Sequence, residues 1–333
     1  MNLSSLSGSS VAACIIGAAV ADAAARPLHW VYSKDDMDQL LQQNRHAEFW
    51  PQSHSPFYKI PTGERSCYNH LVTAGLEAFV EAAGKPELEL YKATLKRKFG
   101  EGTVWQEALA RRKQMYAPER KNEKKGPVEG PWIQGSIIYF LEHGKGDPAN
   151  TQMDGFLLSL PHLLFNYNKS GVVQECQEIA SLLNGTPKFP KCQLEILQKV
   201  LQTKSFTKAD VLKLDEEVQG DVNTVFDNLE EDHVSFVNKV GKSCACPGAL
   251  QGSLHAFLME EQKQSPDQGE SRFRDAVRAT IAAGGCNCSR GNFLGALFGA
   301  HLGMSAIPTD WIEKVADIDI VIDSIKKASN VAL

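Results

Sequence analysis

The chain has 333 residues and a formal net charge of -5, with 43% hydrophobic and 23% charged residues. That is long enough for one large core or two ordinary domains. An acidic balance without a basic patch argues against nucleic acid or a membrane surface as partner, and no uninterrupted apolar run reaches the roughly 18 residues of a spanning helix.

Val11–Ala25 is an Ala-rich helix that Asp22 interrupts, with Gly17, Ala18, Ala21 and Ala25 as a small-residue face. Residues 1–10 carry no Lys or Arg, so this helix is read as part of the fold behind a flexible leader rather than as a secretion signal. Pro27-Leu28-His29-Trp30 stops it, Lys34–Gln43 is a short polar helix, and Ser53–Ser66 with Pro56, Pro61 and Gly63 is loop. Helical periodicity returns over Tyr68–Ala83, Glu87–Phe99 and Thr103–Tyr116. Residues 119–131 form a charged, Pro- and Gly-bearing loop, in which Arg120, Lys121, Lys124 and Lys125 read as a solvated excursion.

Further helices are expected over Gly135–His143, Gln152–Tyr167, Val172–Leu183, Leu194–Gln202, Lys208–Val218 and Val222–Val240. Ala249–Gln262, Phe273–Ala283, Asn292–Met304 and Trp311–Lys327 complete the set. With no fixed-period repeat and no low-complexity linker, the simplest account is a single all-α domain over 1–333. Eight cysteines in a chain this long do not make a disulfide framework, so free thiols in the cytoplasm are expected.

Gly284-Gly285 breaks one helix just before another, which carries Gly291, Gly295, Gly299 and Gly303 along one ridge. Each glycine costs roughly 1 kcal/mol of helix propensity against alanine, which makes sense if another backbone approaches along that ridge. Cys286, Asn287, Cys288 and Ser289 sit at the mouth of this helix, where free N–H groups favour polar ligands.

Three blocks together resemble the ADP-ribosylglycohydrolase family over nearly the whole chain. Gly17–Pro27 is similar to the family's opening Gly-Ala-x-x-Gly-Asp-Ala-x-Gly-x-Pro helix. Gly63–His70 falls where the family has Thr-Asp-Asp-Thr, and Gly284–Ser289 where it has Gly-Gly-Asp-x-Asp-Thr. The wording Asp-Ala-Ala-Ala-x-Pro-Leu-His-Trp, then Pro-Phe-Tyr-x-Ile-Pro-Thr-Gly, resembles more narrowly the branch that holds the J-type crystallins and selenoprotein J. The resemblance implies a compact all-α fold with a pair of magnesium ions at the mouth of a helix bundle.

Carried over residue by residue, the family's metal ligands fall on Cys67, Tyr68 and Asn69 and on Cys286, Cys288 and Ser289, none of them a carboxylate. The family's acid after the first proline falls near His29, and only Asp22 survives. Magnesium wants hard oxygen ligands, so the expectation is that magnesium and the family's hydrolytic chemistry are lost. A soft-metal site for Zn²⁺ or Cu(I) on Cys67, His70, Cys286 and Cys288 is one alternative. Redox-reactive thiols at a helix N-terminus are another, and small buried residues left by a lost site are the third.

Cys244-Ala245-Cys246 joins Cys286 and Cys288 on paper as an all-thiolate set, but its spacing is not that of a zinc ribbon. Cys176 and Cys192 read as ordinary thiols, and the acidic runs at Asp215–Glu217 and Glu230–Asp232 as solvated helix faces. Asp22, His29, Trp30, Gly284 and Gly285 mark a possible cleft for an ADP-ribose-like small molecule. Trp30, Trp50, Tyr58, Trp105 and Trp132 are divided between that cleft and the core. The expected function is that of a non-catalytic, crystallin-like structural protein. A hydrolase or thiol-redox enzyme on ADP-ribose-like conjugates, or a binding module, is the alternative.

Overall fold

The computed structural model describes residues 6, 8–44, 46–120, 126–263 and 269–332. Helix α1 (Ser10–Ala25) starts where the Ser9 hydroxyl accepts from Ala12 N at 3.1 Å. It ends in a 3-10 turn at Arg26–Leu28, where Pro27 has no N–H to continue the ladder. Ser33 caps α2 (Lys34–Gln43) in the same way, its hydroxyl 3.1 Å from Asp36 N. Strand β1 (Tyr58–Lys59) precedes α3 (Cys67–Glu81), α4 (Leu88–Phe99) and α5 (Val104–Met115). Strand β2 (Val128–Glu129) leads to α6 (Gly135–His143), α7 (Asp154–Asn166), α8 (Val172–Ala180), α9 (Lys188–Thr203) and α10 (Glu216–Phe226). The chain ends with α11 (His233–Val240), α12 (Gly248–Gln262), α13 (Gly269–Ala282), α14 (Asn287–Leu302), α15 (Thr309–Ile312) and α16 (Ile318–Val331).

The glycine ridge meets the small face of α1. A Cβ on Gly291 would lie 3.1 Å from Ala21 O, and one on Gly299 2.4 Å from Ala13 C. Both helices are therefore buried on nearly every side, and α3, α7, α12 and α13 pack around them in one continuous core. Gly303 departs from the expected ridge: it lies past the helix end with φ +74°, nothing is near its Cβ position, and it serves as the stop. The stretch Ser10–Leu28 is long and apolar enough to cross a bilayer, yet it is the buried axis of this fold.

Several expected boundaries are corrected. The loops Ser53–Ser66 and 119–131 carry β1 and β2, which pair in parallel through Val128 N to Phe57 O at 2.9 Å and Gly130 N to Lys59 O at 2.8 Å. Two-residue strands are too short to leave a periodic signal. Ser9 and Ser10 belong to α1 rather than to a free leader; the other leader residues except Leu6 and Gly8, and Lys121, Lys124 and Lys125, lie outside the described residues. Val222–Val240 is two helices, because Asp232 accepts from Ser235 N at 3.0 Å and starts α11 afresh. Lys208–Val218 divides into a 3-10 turn (Lys208–Lys213) closed by the Thr207–Asp210 capping box and the start of α10. Trp311–Lys327 divides into α15 and α16, and α9 begins earlier than expected because Pro190 is tolerated in a first turn.

Candidate functional site

The loop between α13 and α14 is locked to the turn after α1. Trp30 N donates to Gly285 O at 2.8 Å and Gly285 N to Val31 O at 2.7 Å. Gly284 (φ +71°) and Gly285 (φ +63°) cannot be replaced here, since their Cβ atoms would lie 2.6 Å from Val31 O and 2.1 Å from Lys242 O. Trp30 itself has φ 66°, a strained conformation for a bulky residue. Buried Arg290 straps the loop, donating to Gly284 O, to Thr280 O at 3.3 Å and to Lys242 O at 3.3 Å. Sequence reasoning passed over Arg290; a charged residue one turn inside so apolar a helix was the available signal.

Beside this loop Asp22 is fully buried and its carboxylate accepts three hydrogen bonds. Oδ2 accepts from Ser66 N at 2.6 Å, while Oδ1 accepts from Ser66 Oγ at 2.6 Å and Asn292 Nδ2 at 2.7 Å. Asn69 Nδ2 donates to Asn292 Oδ1 at 2.6 Å, and Arg65 Nη1 donates to Asn69 Oδ1 at 2.6 Å. Arg65 is anchored in turn by Asp317, 2.7 Å from its Nε. Burial raises the Asp22 carboxyl above the usual range, against the bonds from Ser66 and Asn292 and the nearby His29 charge.

The second cluster is sulfur, imidazole and phenol. His29 Nε2 lies 3.3 Å from Cys286 Sγ, and Tyr58 OH holds the other ring nitrogen at 2.9 Å. Cys286 Sγ lies 3.5 Å from Tyr68 OH, which donates to Gln152 Oε1 at 3.0 Å. Burial pushes the Cys286 thiol up. The neighbouring Cys244 thiol, the His29 imidazole and Ser289 outweigh it and hold Cys286 well below the usual thiol range. Burial raises Cys67 and Cys288 instead.

Above this cluster opens a cleft of about 230 Å³ lined by Trp30, Phe57, Arg112, Trp132, Gln152 and Cys244, among others. Trp30 meets Trp132 edge-on at 5.6 Å, and the Arg112 guanidinium lies 4.9 Å over the Trp132 ring. Of the aromatics, Trp30 and Trp132 line the cleft, whereas Trp105 packs inward on Phe99 and Tyr58 is buried. Phe57, Arg112 and Gln152 were missed, because no local pattern brings them to the cleft.

The structure gathers Asp22, Asn69 and Asn292 into one network and His29, Tyr58, Tyr68 and Cys286 into another. It does not assemble the soft-metal set Cys67, His70, Cys286 and Cys288, nor the all-thiolate set with Cys244 and Cys246. Among the described residues no group of three or more His, Cys, Asp or Glu side chains is placed to hold a metal. The reason is orientation: His70 packs edge-on against Trp105 at 5.2 Å, Cys67 faces the Gln134 backbone, and Cys288 Sγ points to Asp22 O at 3.8 Å. Ser289 Oγ is likewise turned inward, donating to Cys286 O at 3.0 Å. Cys176 and Cys192 are core thiols.

An all-α bundle whose first helix, third helix and penultimate long helix converge on a Gly-Gly loop defines the class. The ADP-ribosylglycohydrolase family profile spans residues 4–332, and the chain belongs to that family. It is similar to Crystallin J1A of Tripedalia cystophora, 26% identical over 317 residues covering 91% of each chain. Crystallin J1B of the same animal is 25% identical over 315 residues, covering 91% of this chain and 90% of that one. A solved ADP-ribosylglycohydrolase-related protein complex shares the fold, with TM-score 0.58, 16% identity and coverage of 97% of this chain and 98% of that chain.

Proposed function

We propose that the chain is a non-catalytic member of the family, used as a soluble structural protein of the crystallin kind. The observation that carries this reading is the bonding of Asp22. The one carboxylate that survives from the family's motif blocks spends its oxygens on Ser66 and Asn292. A hard dication would have to displace these bonds and then find its remaining ligands among thiols, a phenol and an amide. The likeness to two crystallins across nine-tenths of the chain supports the structural half. All eight cysteines are free thiols, which suits a reducing compartment, and we place the protein in the cytoplasm on that ground.

The test is hydrolysis of an ADP-ribosylated substrate with and without millimolar magnesium, read beside the melting temperature. No turnover and no magnesium-dependent rise in Tm are expected; magnesium-dependent release of ADP-ribose would overturn the reading. The Trp30–Trp132 cleft with Arg112 favours a second reading, metal-independent binding of an ADP-ribose-like ligand. Calorimetric titration with ADP-ribose in chelator decides it, since binding there supports a module and silence leaves the structural role alone.

A further inference from the structure

Asn184-Gly185 is the one Asn-Gly pair in the sequence, and Asp154-Gly155 the one Asp-Gly pair. Such pairs are the most prone to spontaneous ring closure, because glycine leaves its own backbone nitrogen unhindered for attack on the preceding side chain. Neither glycine can be exchanged: a Cβ on Gly185 would lie 2.5 Å from Pro148 Cα, and one on Gly155 2.5 Å from Asn184 Oδ1. The fold brings the two pairs together and ties up both nitrogens. Asn184 is fully buried; its Nδ2 donates to Asn150 O at 2.9 Å and Gln152 O at 3.0 Å, and its Oδ1 accepts from Gly155 N at 2.8 Å. Gly185 N, the atom that would attack, donates to Asp147 O at 2.8 Å beside the bridge of Asp147 with Asn184. Asn150 Nδ2 closes the frame on Leu183 O at 3.0 Å.

We propose that Asn184 is a spontaneous deamidation site that the native fold holds closed, and that its conversion loosens residues 150–152 on the wall of the cleft. When the turn between α8 and α9 opens, Gly185 N attacks Asn184 Cγ. The N–Cγ bond forms and the Cγ–Nδ2 bond breaks, and the Gly185 proton leaves with Nδ2 as ammonia. One water then opens the ring at either carbonyl, giving aspartate or isoaspartate. The attack is intramolecular and water is its sole co-reactant, so it stands apart from the family's chemistry. The product does not refit the turn. Aspartate keeps an acceptor for Gly155 N but sets a buried anionic oxygen against the Asn150 and Gln152 carbonyls, where a donor stood. Isoaspartate adds a backbone atom and breaks the bridge to Asp147. Gln152 lines the cleft and accepts from Tyr68 OH at 3.0 Å, so the change reaches the site.

The experiment ages the wild-type chain at mildly alkaline pH, native and in guanidinium chloride, and follows every asparagine by peptide mass spectrometry. In denaturant Asn184 is expected to convert before any other asparagine, and in the native chain roughly tenfold or more slowly than in denaturant. Asn150→Ala removes the bond to Leu183 O and should raise the native rate while leaving the denatured rate unchanged. Asn184→Asp, one of the products, should melt below the parent and exchange its amides at 150–152 faster, with α1 and α14 unaltered. Converted parent molecules, separated by their added negative charge on ion exchange, give the same exchange reading where that variant does not fold. Equal native and denatured rates, another asparagine converting first in denaturant, an unmoved native rate in Asn150→Ala, or converted protein with the parent's exchange at 150–152 would each overturn it.

Discussion

Gly17 and Gly295 meet backbone to backbone: a Cβ on Gly17 would lie 2.4 Å from Gly295 O, and one on Gly295 only 2.1 Å from Gly17 O. Neither carbonyl can move without shifting a helix that is buried all round. Gly295→Ala is therefore expected to destabilise the fold by about 3 kcal/mol or more, at or above the usual cost of overpacking. Gly220→Ala is the control. Gly220 lies inside α10 with nothing near its Cβ position, so the gain in helix propensity should stabilise by about 1 kcal/mol. Denaturant unfolding of the two variants checks both signs.

Asp22→Ala removes the acceptor for Ser66 N, Ser66 Oγ and Asn292 Nδ2 in one stroke. Buried donors left unpaired cost about 1–3 kcal/mol each, partly relieved if water enters. A loss of about 3 kcal/mol is expected, and the variant should melt alike with and without magnesium. A variant as stable as the parent would mean that Asp22 does not hold α1 to the start of α3.

The glycine ridge and its partner face were legible in sequence because both follow the helical period, and so was the Gly284-Gly285 break. The Asp22 network was not. Asp22, Ser66 and Asn292 belong to three separate helices or their caps, and their meeting depends on packing that no local pattern encodes. Cys244 was weighed as a zinc ligand by spacing alone, whereas among the described residues no three His, Cys, Asp or Glu side chains are gathered to hold a metal. The breaks at Asp227–Asp232 and at Glu313–Asp317 were hidden because apolar residues continue on both sides in helical register.

His233 Nδ1 lies 3.1 Å from His255 Nδ1, and His255 Nε2 lies 3.0 Å from Asn228 O. Burial lowers both imidazoles below the ordinary range, with the charges of His255 and Arg290 adding to it at His233. The folded pair thus stays neutral where an unfolded histidine, with a pKa of about 6.5, takes up a proton. Stability from this pair is fully present above about pH 6.5 and is lost as pH falls below it. His233→Gln removes one of the titrations. The stability gap between parent and variant should narrow from pH 7.5 to pH 5.0 by about 1 kcal/mol or more, read from Tm at each pH.

Asp154 opens α7 with Oδ2 accepting from Asn150 Nδ2 at 3.1 Å. Burial raises its carboxyl to about 6, against the neighbouring Ser136 and Asn150 and with help from the Cys286 charge. A raised folded value means that the folded state keeps a proton the unfolded chain has released, so this group's contribution is full below about pH 4 and is lost as pH rises to about 6. Two units correspond to about 3 kcal/mol. Asp154→Asn mimics the protonated carboxyl and should abolish this pH dependence. Relative to the parent it should gain about 3 kcal/mol between pH 4 and pH 7, the opposite slope to that of the histidine pair. A parent-to-variant difference that stays level across that range would show that Asp154 is ionised at no cost in the folded chain.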